Sequence, residues 1–293
     1  MDFGLILPSY RAGASAAGIE AAADAAARLG WHSVFTTDHL LVEPSARSED
    51  YFHIFDALLT LAHLGARQPS LRLGISVLVV PMRNAVVLAK ELATLDALSR
   101  GRLIVGVGVG WNETEFGNVG AADRFGRRGA YLDEAIGLWR TLWSGNTAGF
   151  HGRFHDFDEI RFGPLPAQRD QLPIWVGGRS EQALRRAGRL GDAYHSSASS
   201  PAQMAVRVPV ITAAAEEAGR PAPLLSARAR VIFGRHEDRF YALAGTAEQM
   251  VDEIKAWADI GVGHLAFDFV ETDPTRSVEL IERFDSEVLA HFR

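Results

Sequence analysis

Cysteine is absent from the 293 residues, which excludes disulfides, thiolate nucleophiles, Cys-ligated zinc and iron–sulfur clusters. No apolar run approaches the roughly 20 residues that a membrane-spanning helix needs. Residues 3–7 are apolar and Ala14-Ser15-Ala16 resembles a cleavage site, but no Lys or Arg precedes them. The stretch therefore reads as a first strand, and the expected location is the cytoplasm. An excess of positive charge is missing too. Thirty Lys and Arg face 36 Asp and Glu, a net charge of −6, the wrong sign for general binding to nucleic acid or an anionic membrane. There is no P-loop, and no His-x-His follows the first strand, so neither a nucleotide-phosphate cradle nor a metal-dependent hydrolase is expected.

What is present is an ordinary globular balance, 47% hydrophobic and 23% charged, in a chain long enough to stabilise its own core without a metal or disulfide. Strand-like and helix-like segments alternate from end to end. Strands are expected at residues 2–8, 32–38, 71–79, 102–108, 173–176, 192–197, 226–233 and 263–269. Helices are expected at 15–29, 52–66, 84–99, 129–143, 180–190, 201–218 and 246–260, and a last one opens at Asp273-Pro274. In the fourth of these, Leu132, Ala135, Ile136, Trp139, Leu142 and Trp143 recur at helical spacing, so its tryptophans read as core. Residues 150–166 alternate apolar and polar around Gly152-Arg153, which reads as a hairpin between strands four and five. Eight strand–helix units imply one α/β domain over residues 1–293, a (β/α)₈ TIM barrel with an inserted hairpin. An open doubly wound sheet would carry a Gly-rich turn after strand one, where this chain has Pro8-Ser9-Tyr10.

Barrel active sites lie at the carboxyl ends of the strands. Strand two ends in Thr37-Asp38-His39, and His39 is the acid–base candidate because a histidine exchanges protons near neutral pH. His195 holds an equivalent place on strand six. Gly106, Gly108 and Gly110 share one parity on strand four, clearing one side either for a flat ligand or for close strand packing. Trp111 then offers an aromatic wall, and Glu113 and Glu115 are either functional or first-turn helix acids. Asn112 with Glu115 has the spacing of a helix cap and its partner. Gly177-Gly178-Arg179-Ser180 is an anion-site candidate: glycines permit close backbone approach, Ser180 opens a helix, and Arg179 adds charge.

Three blocks carry a family resemblance: Thr37-Asp38-His39-Leu40-Leu41; residues 88–116, LAKELATLDALSRGRLIVGVGVGWNETEF; and Pro173-Ile174-Trp175-Val176-Gly177-Gly178-Arg179-Ser180 leading to Tyr194-His195. Together they resemble the luciferase-like monooxygenase superfamily, and within it the actinobacterial branch that depends on coenzyme F420, a deazaflavin. The resemblance implies a tricyclic cofactor ring at the barrel mouth and a bulge after strand three with a non-prolyl cis peptide at Ser76-Val77. It places the cofactor phosphate on Gly177 to Ser180, with Asp38, Ser76, Val77, Gly106, Gly108, Gly110, Trp111 and His195 about the ring. In the sugar-phosphate dehydrogenases of the superfamily the histidine matching His39 is the general base. Their paired glutamate aligns with Trp111 here, with Glu113 nearby, so His39 and Glu113 are the expected catalytic residues and a sugar phosphate is not assumed.

Three activities follow. The first is F420-dependent hydride transfer between the cofactor C5 and a small-molecule substrate. The second is an FMN-dependent monooxygenase fed by a separate flavin reductase. The third is a non-catalytic flavin-binding protein. Superfamily members are often dimers, so a homodimer is the expected assembly.

Overall fold

The computed structural model describes residues 1–237 and 240–293. Its centre is a closed barrel of eight parallel strands, β1 Asp2–Ile6, β2 Ser33–Thr36, β3 Arg72–Ile75, β4 Leu103–Gly108, β5 Ile174–Gly177, β6 Ala193–Ser197, β7 Leu224–Phe233 and β8 Val262–Asp268. Each pairs with the next, and β8 closes on β1 with Leu5 opposite Phe267. Around it lie α1 Ala16–Arg28, α2 Ala57–Arg67, α3 Ala85–Leu98, α4 Arg128–Ser144, α5 Glu181–Leu190, α6 Pro201–Glu217, α7 Ala247–Asp259 and α8 Pro274–Glu287.

Strand parity divides the core in two. Outward residues such as Leu5, Val34, Leu73, Val105, Ile174 and Leu265 pack under the helices. Inward residues Ile6, Phe35, Ile104, Trp175, Ala193 and Ala266 fill the barrel itself. The ring of Phe35 lies against Gly4 and Gly74, where an added Cβ would meet it. Fully burying such a side chain stabilises by roughly 1.5–3 kcal/mol. On α4, Trp139 and Trp143 are fully buried and donate their indole N–H groups to the carbonyls of Ala85 (2.8 Å) and Ala89 (3.1 Å), locking α4 onto α3.

Helix ends follow their capping chemistry. Ser15, Ser180 and Asp273 each accept a backbone N–H of the first turn, and Thr246 with Gln249 forms a reciprocal capping box. At Asn112 only half of the expected pair forms, because the Glu115 carboxylate is engaged elsewhere.

Four local features depart from the expected elements. The third strand is not continuous over 71–79: it breaks at Ser76-Val77, whose peptide is cis as the family resemblance implied, and resumes as Leu78–Val79 alongside β4. Helix α2 starts at Ala57, not 52, because Asp56 caps it and residues 49–51 form a 3₁₀ turn. Two short helices, Glu113–Asn118 and Ala122–Phe125, precede α4. A further strand, Ala242–Gly245, pairs with the long end of β7, covering backbone groups that extend beyond the closed barrel. Between β4 and β5, Phe150–His151 pairs antiparallel with Asp156–Phe157. Among the described residues no helix is long and apolar enough to cross a membrane.

Candidate active site

His39 follows β2 at the carboxyl rim of the barrel and is 8% exposed. Its Nδ1 lies 2.7 Å from Oε2 of Glu115, whose other oxygen accepts the backbone N–H of Leu40 at 2.6 Å. Glu115 is buried at 1% exposure, and Asn112 caps its helix while donating to Glu43 at 2.7 Å. A carboxylate only accepts hydrogen bonds, so it places the ring proton on Nδ1 and leaves Nε2 as the nitrogen that can exchange a proton. Glu113, the expected partner, is exposed on the other side of the same helix. The first turn carries both acids, and only the one two residues further on points back at β2. Tyr51 packs on His39 with ring centroids 4.2 Å apart, and Trp111 lies edge-on at 5.7 Å with the guanidinium of Arg47 over its face.

Asp38 does not act on His39. Its side chain accepts the N–H of Val79 at 2.8 Å and both Nη groups of Arg83 at 2.7 and 2.8 Å. It therefore pins the chain just beyond the Ser76-Val77 bulge. The glycines of β4 answer to the same bulge. A Cβ on Gly106 would land on the carbonyl oxygen of Ile75, and one on Gly108 would sit 2.7 Å from Val77 Cγ2. A Cβ on Gly177 would crowd Val77 from β5, 3.0 Å from Cγ1. Gly110 has a φ of +74° and its Cβ would meet Val79 and Phe116. The cleared side of strand four thus holds Val77, whose half-buried side chain is what the mouth presents there.

His195 is a second relocation. It is not at the rim but inside the barrel, 1% exposed, stacked on Phe35 at 5.7 Å. Nε2 lies 2.8 Å from Ser76 Oγ and Nδ1 2.9 Å from Ser226 Oγ. Burial, with a contribution from Arg228, pushes its pKa down to about 3, so the ring is neutral.

A charged group that had no role in the sequence reading lies at the ends of β1, β7 and β8. The buried carboxylate of Asp268 accepts from Tyr10 Oη at 2.5 Å, from Arg11 at 3.2 and 3.3 Å, and from Arg228 at 2.8 Å. Burial would raise its pKa, but Arg11 and Arg228 overcome this and hold it well below the carboxylate range. Burial raises the Tyr10 phenol, which stays protonated. Arg228 also donates to Thr37 Oγ1 (2.9 Å) and to the carbonyl of Ser76 (3.2 Å), tying β7 to β2 and to the bulge. Asp50 from the loop after β2 pairs with Arg11 and Arg230, and Tyr51 next to it stacks on Tyr10 at 5.8 Å. The signal for this group was inward parity: Arg228, Arg230 and Asp268 fall in register with Ser226 and His264 along their strands.

At the ends of β5 and β6, Gly178, Arg179 and Ser180 are exposed at the start of α5, and Gly178 has a φ of +124°. Beside them Tyr194 Oη donates to the Gly178 carbonyl at 2.9 Å, and Arg207 from α6 reaches Ser196 (2.8 Å), Ser199 (2.6 Å) and Tyr194 (3.3 Å). Arg207, seven residues into its helix, carried no motif that would have flagged it.

The model of the family described as "Luciferase-like monooxygenase" matches residues 1–244. An F420-dependent glucose-6-phosphate dehydrogenase of Microbacterium testaceum (strain StLB037) is 30% identical, the match covering 88% of this chain and 81% of the relative. The F420-dependent tetrahydromethanopterin reductase of Methanopyrus kandleri superposes with a TM-score of 0.79 at 18% identity, covering 100% and 99% of the two chains. The oxygenating constituent of 3,6-diketocamphane monooxygenase of Pseudomonas putida, in complex with FMN, gives 0.80 at 17% identity, covering 98% and 97%. At these identities the two structures speak for the barrel alone. With the family match over most of its length and a relative this similar, the chain belongs to the luciferase-like monooxygenase family of oxidoreductases.

Proposed function

We propose that this protein is a coenzyme F420-dependent oxidoreductase acting on a small organic substrate, with His39 carrying the proton that accompanies hydride transfer. The observation that carries this reading is the buried His39–Glu115 pair at the barrel mouth, a base oriented by a carboxylate. The cofactor choice leans on the sequence relative that is named for F420. The residues present suit such a cofactor. Val77 offers an apolar face flanked by glycines, and the β5 end supplies exposed glycine backbone, Arg179 and a helix N-terminus for a phosphate. A bound deazaflavin supplies hydride exchange at its C5. The chain holds the Nδ1 proton of His39 on Glu115, so Nε2 takes or returns the substrate proton. Tyr51 and Trp111 flank that ring and limit water at it.

Titration of the purified protein with F420 and with FMN, followed by fluorescence, tests the reading. Tighter binding of F420 supports it, preference for FMN would transfer it to a monooxygenase with a reductase partner, and binding of neither would end it. For His39→Ala the expected result is unchanged coenzyme affinity with turnover lowered by about 10²–10⁴.

A further inference from the structure

Two buried histidines have no part in the chemistry above, and they lie in one continuous file of side chains through the barrel. Ser76 Oγ is 2.8 Å from His195 Nε2, and His195 Nδ1 is 2.9 Å from Ser226 Oγ. Ser226 Oγ is 3.1 Å from His264 Nδ1, and His264 Nε2 is 2.9 Å from Ser33 Oγ. Ser33 Oγ is 3.2 Å from His32 Nδ1, and His32 Nε2 is 3.6 Å from the exposed Asp2 carboxylate. The file starts at the bulge beside the mouth and ends at the amino-terminal face of the barrel, where His32 is half-buried. Its inner members are sealed: Ser33, Ser226, His195 and His264 are at most 1% exposed. Hydroxyl and imidazole alternate without a gap, and each both donates and accepts, which is the chemistry a proton relay requires. A purely packed barrel interior would be served by aliphatic side chains with no polar groups to satisfy.

We infer that the file Ser76–His195–Ser226–His264–Ser33–His32 is a proton path joining the barrel mouth to solvent at the opposite face. Its use rests on the oxidoreductase reading: with ligands covering the mouth, it lets the site exchange one proton with solvent. Inward passage begins with a proton bonding to His32 Nε2. The Nδ1 proton of His32 moves to Ser33 Oγ, and the Ser33 proton to His264 Nε2. The His264 Nδ1 proton then moves to Ser226 Oγ, the Ser226 proton to His195 Nδ1, and the His195 Nε2 proton to Ser76 Oγ. Ser76 releases its own hydroxyl proton at the mouth. One bond to hydrogen forms and one breaks at every member, and no charge remains in the core. That suits His195 and His264, both of which burial holds neutral. Arg228 near His195 and Arg72 near His264 and His32 oppose a resident positive charge, while Asp2 draws a proton to the entrance. Passage switches every imidazole to its other tautomer. Phe35 and Trp175 pack against both inner rings and oppose their rotation, so the return passage restores the file. The path thus carries one proton in one direction and resets when one is carried back.

The test is the exchange of imidazole N–H groups with water in ¹⁵N-histidine-labelled, cofactor-free protein. Ser76→Ala closes the mouth end, so exchange at His195 must then come through the barrel. The expected result is that His195 still exchanges in S76A, and slows at least about tenfold in S76A/S226A while His264 keeps its rate. His195 exchanging as slowly in S76A as in the double variant would overturn the path. Should S76A not fold, Ser226→Ala cuts His264 off from the mouth; adding His32→Phe at the entrance is then expected to slow His264 about tenfold, and a rate equal to that of S226A alone refutes the inference. The nitrogen shifts give a second check. Intact files allow only Nδ1–H on His195 with Nε2–H on His264 and His32, or the reverse set; mixed sets refute it. None of this needs cofactor or turnover, so failure here leaves the oxidoreductase reading standing, and failure of coenzyme binding leaves the path.

Discussion

If the glycines of β4 exist to seat the Val77 bulge, adding a methyl group at Gly108 should damage the fold before it damages binding. The new Cβ would lie 2.7 Å from Val77 Cγ2, several tenths of an ångström inside ordinary contact. A Cβ added at Gly106 or Gly177 would crowd Val77 Cγ1 as well, at 3.3 and 3.0 Å, so the three glycines together leave the one space that the Val77 methyls occupy. Overpacking of this kind costs about 1–3 kcal/mol, against which the alanine recovers about 0.4–1 kcal/mol by restricting the unfolded chain. Gly108→Ala is therefore expected to lose roughly 1–2 kcal/mol in urea unfolding. Val77→Ala removes the obstructing methyls, so V77A/G108A should be more stable than the sum of the single variants by about 1 kcal/mol or more. Gly117→Ala is the control: it is an exposed position of the helix Glu113–Asn118, an added Cβ there would have nothing within 4 Å, and the change should be neutral or stabilising. G108A at wild-type stability, with no coupling to Val77 and weakened coenzyme binding, would refute the packing account and return the strand to the ligand.

Glu115→Gln should lower turnover about 10–100-fold, the loss of a charge-assisted hydrogen bond of about 1.5–3 kcal/mol. It should also shift the His39 tautomer in ¹⁵N spectra, whereas Glu113→Gln should change neither; equal effects of the two would sink the pair. Stability should fall on acidification from about pH 7 to pH 5, because His195 and His264 have pKa values below their ordinary 6.5. The unfolded chain then binds protons that the native chain does not. Each stabilising contribution is complete above about pH 6.5 and is lost towards the depressed native value, near 3 for His195. The slope is up to about 1.4 kcal/mol per pH unit for each group, and unfolding free energies flat over that range would contradict their burial as neutral rings.

The barrel was legible because its evidence is periodic. Eight strand–helix units, capped at Ser15, Ser180, Thr246 and Asp273, appear in the chain much as they fold. The interruptions were less legible. An apolar run over 71–79 gives no local sign that Ser76-Val77 breaks it; the family resemblance alone placed the break there, because its physical supports, Asp38, Arg83 and the β4 glycines, lie outside the run. His39 was identifiable from its place after a strand, but its partner depended on how one helical turn sits over the rim, an orientation that spacing does not encode. His195 looked like a rim residue because the end of β6 was read by position alone. Counting parity from Ala193 turns its ring inward, in line with Ser226 and His264.

That parity gives the site its logic. Several residues expected to touch a cofactor shape one irregular segment. Asp38 and Arg83 hold its far end, Gly106, Gly108 and Gly177 admit Val77, and His195 and Arg228 take the side chain and carbonyl of Ser76. A smooth barrel strand would present alternate side chains to the mouth and continue; this one stops, turns Val77 into the opening and resumes paired with β4. Its position is therefore set from β2, β4, β5, β6 and β7 at once. A substitution in any of those supports should move the Val77 face and weaken coenzyme binding through geometry. Loss of Glu115 should leave that face in place and impair proton transfer alone. The flat wall and the base thus sit on separately braced elements, and the loop 40–52 belongs with the base: Leu40 N–H holds Glu115, Glu43 holds its cap Asn112, and Tyr51 packs on His39.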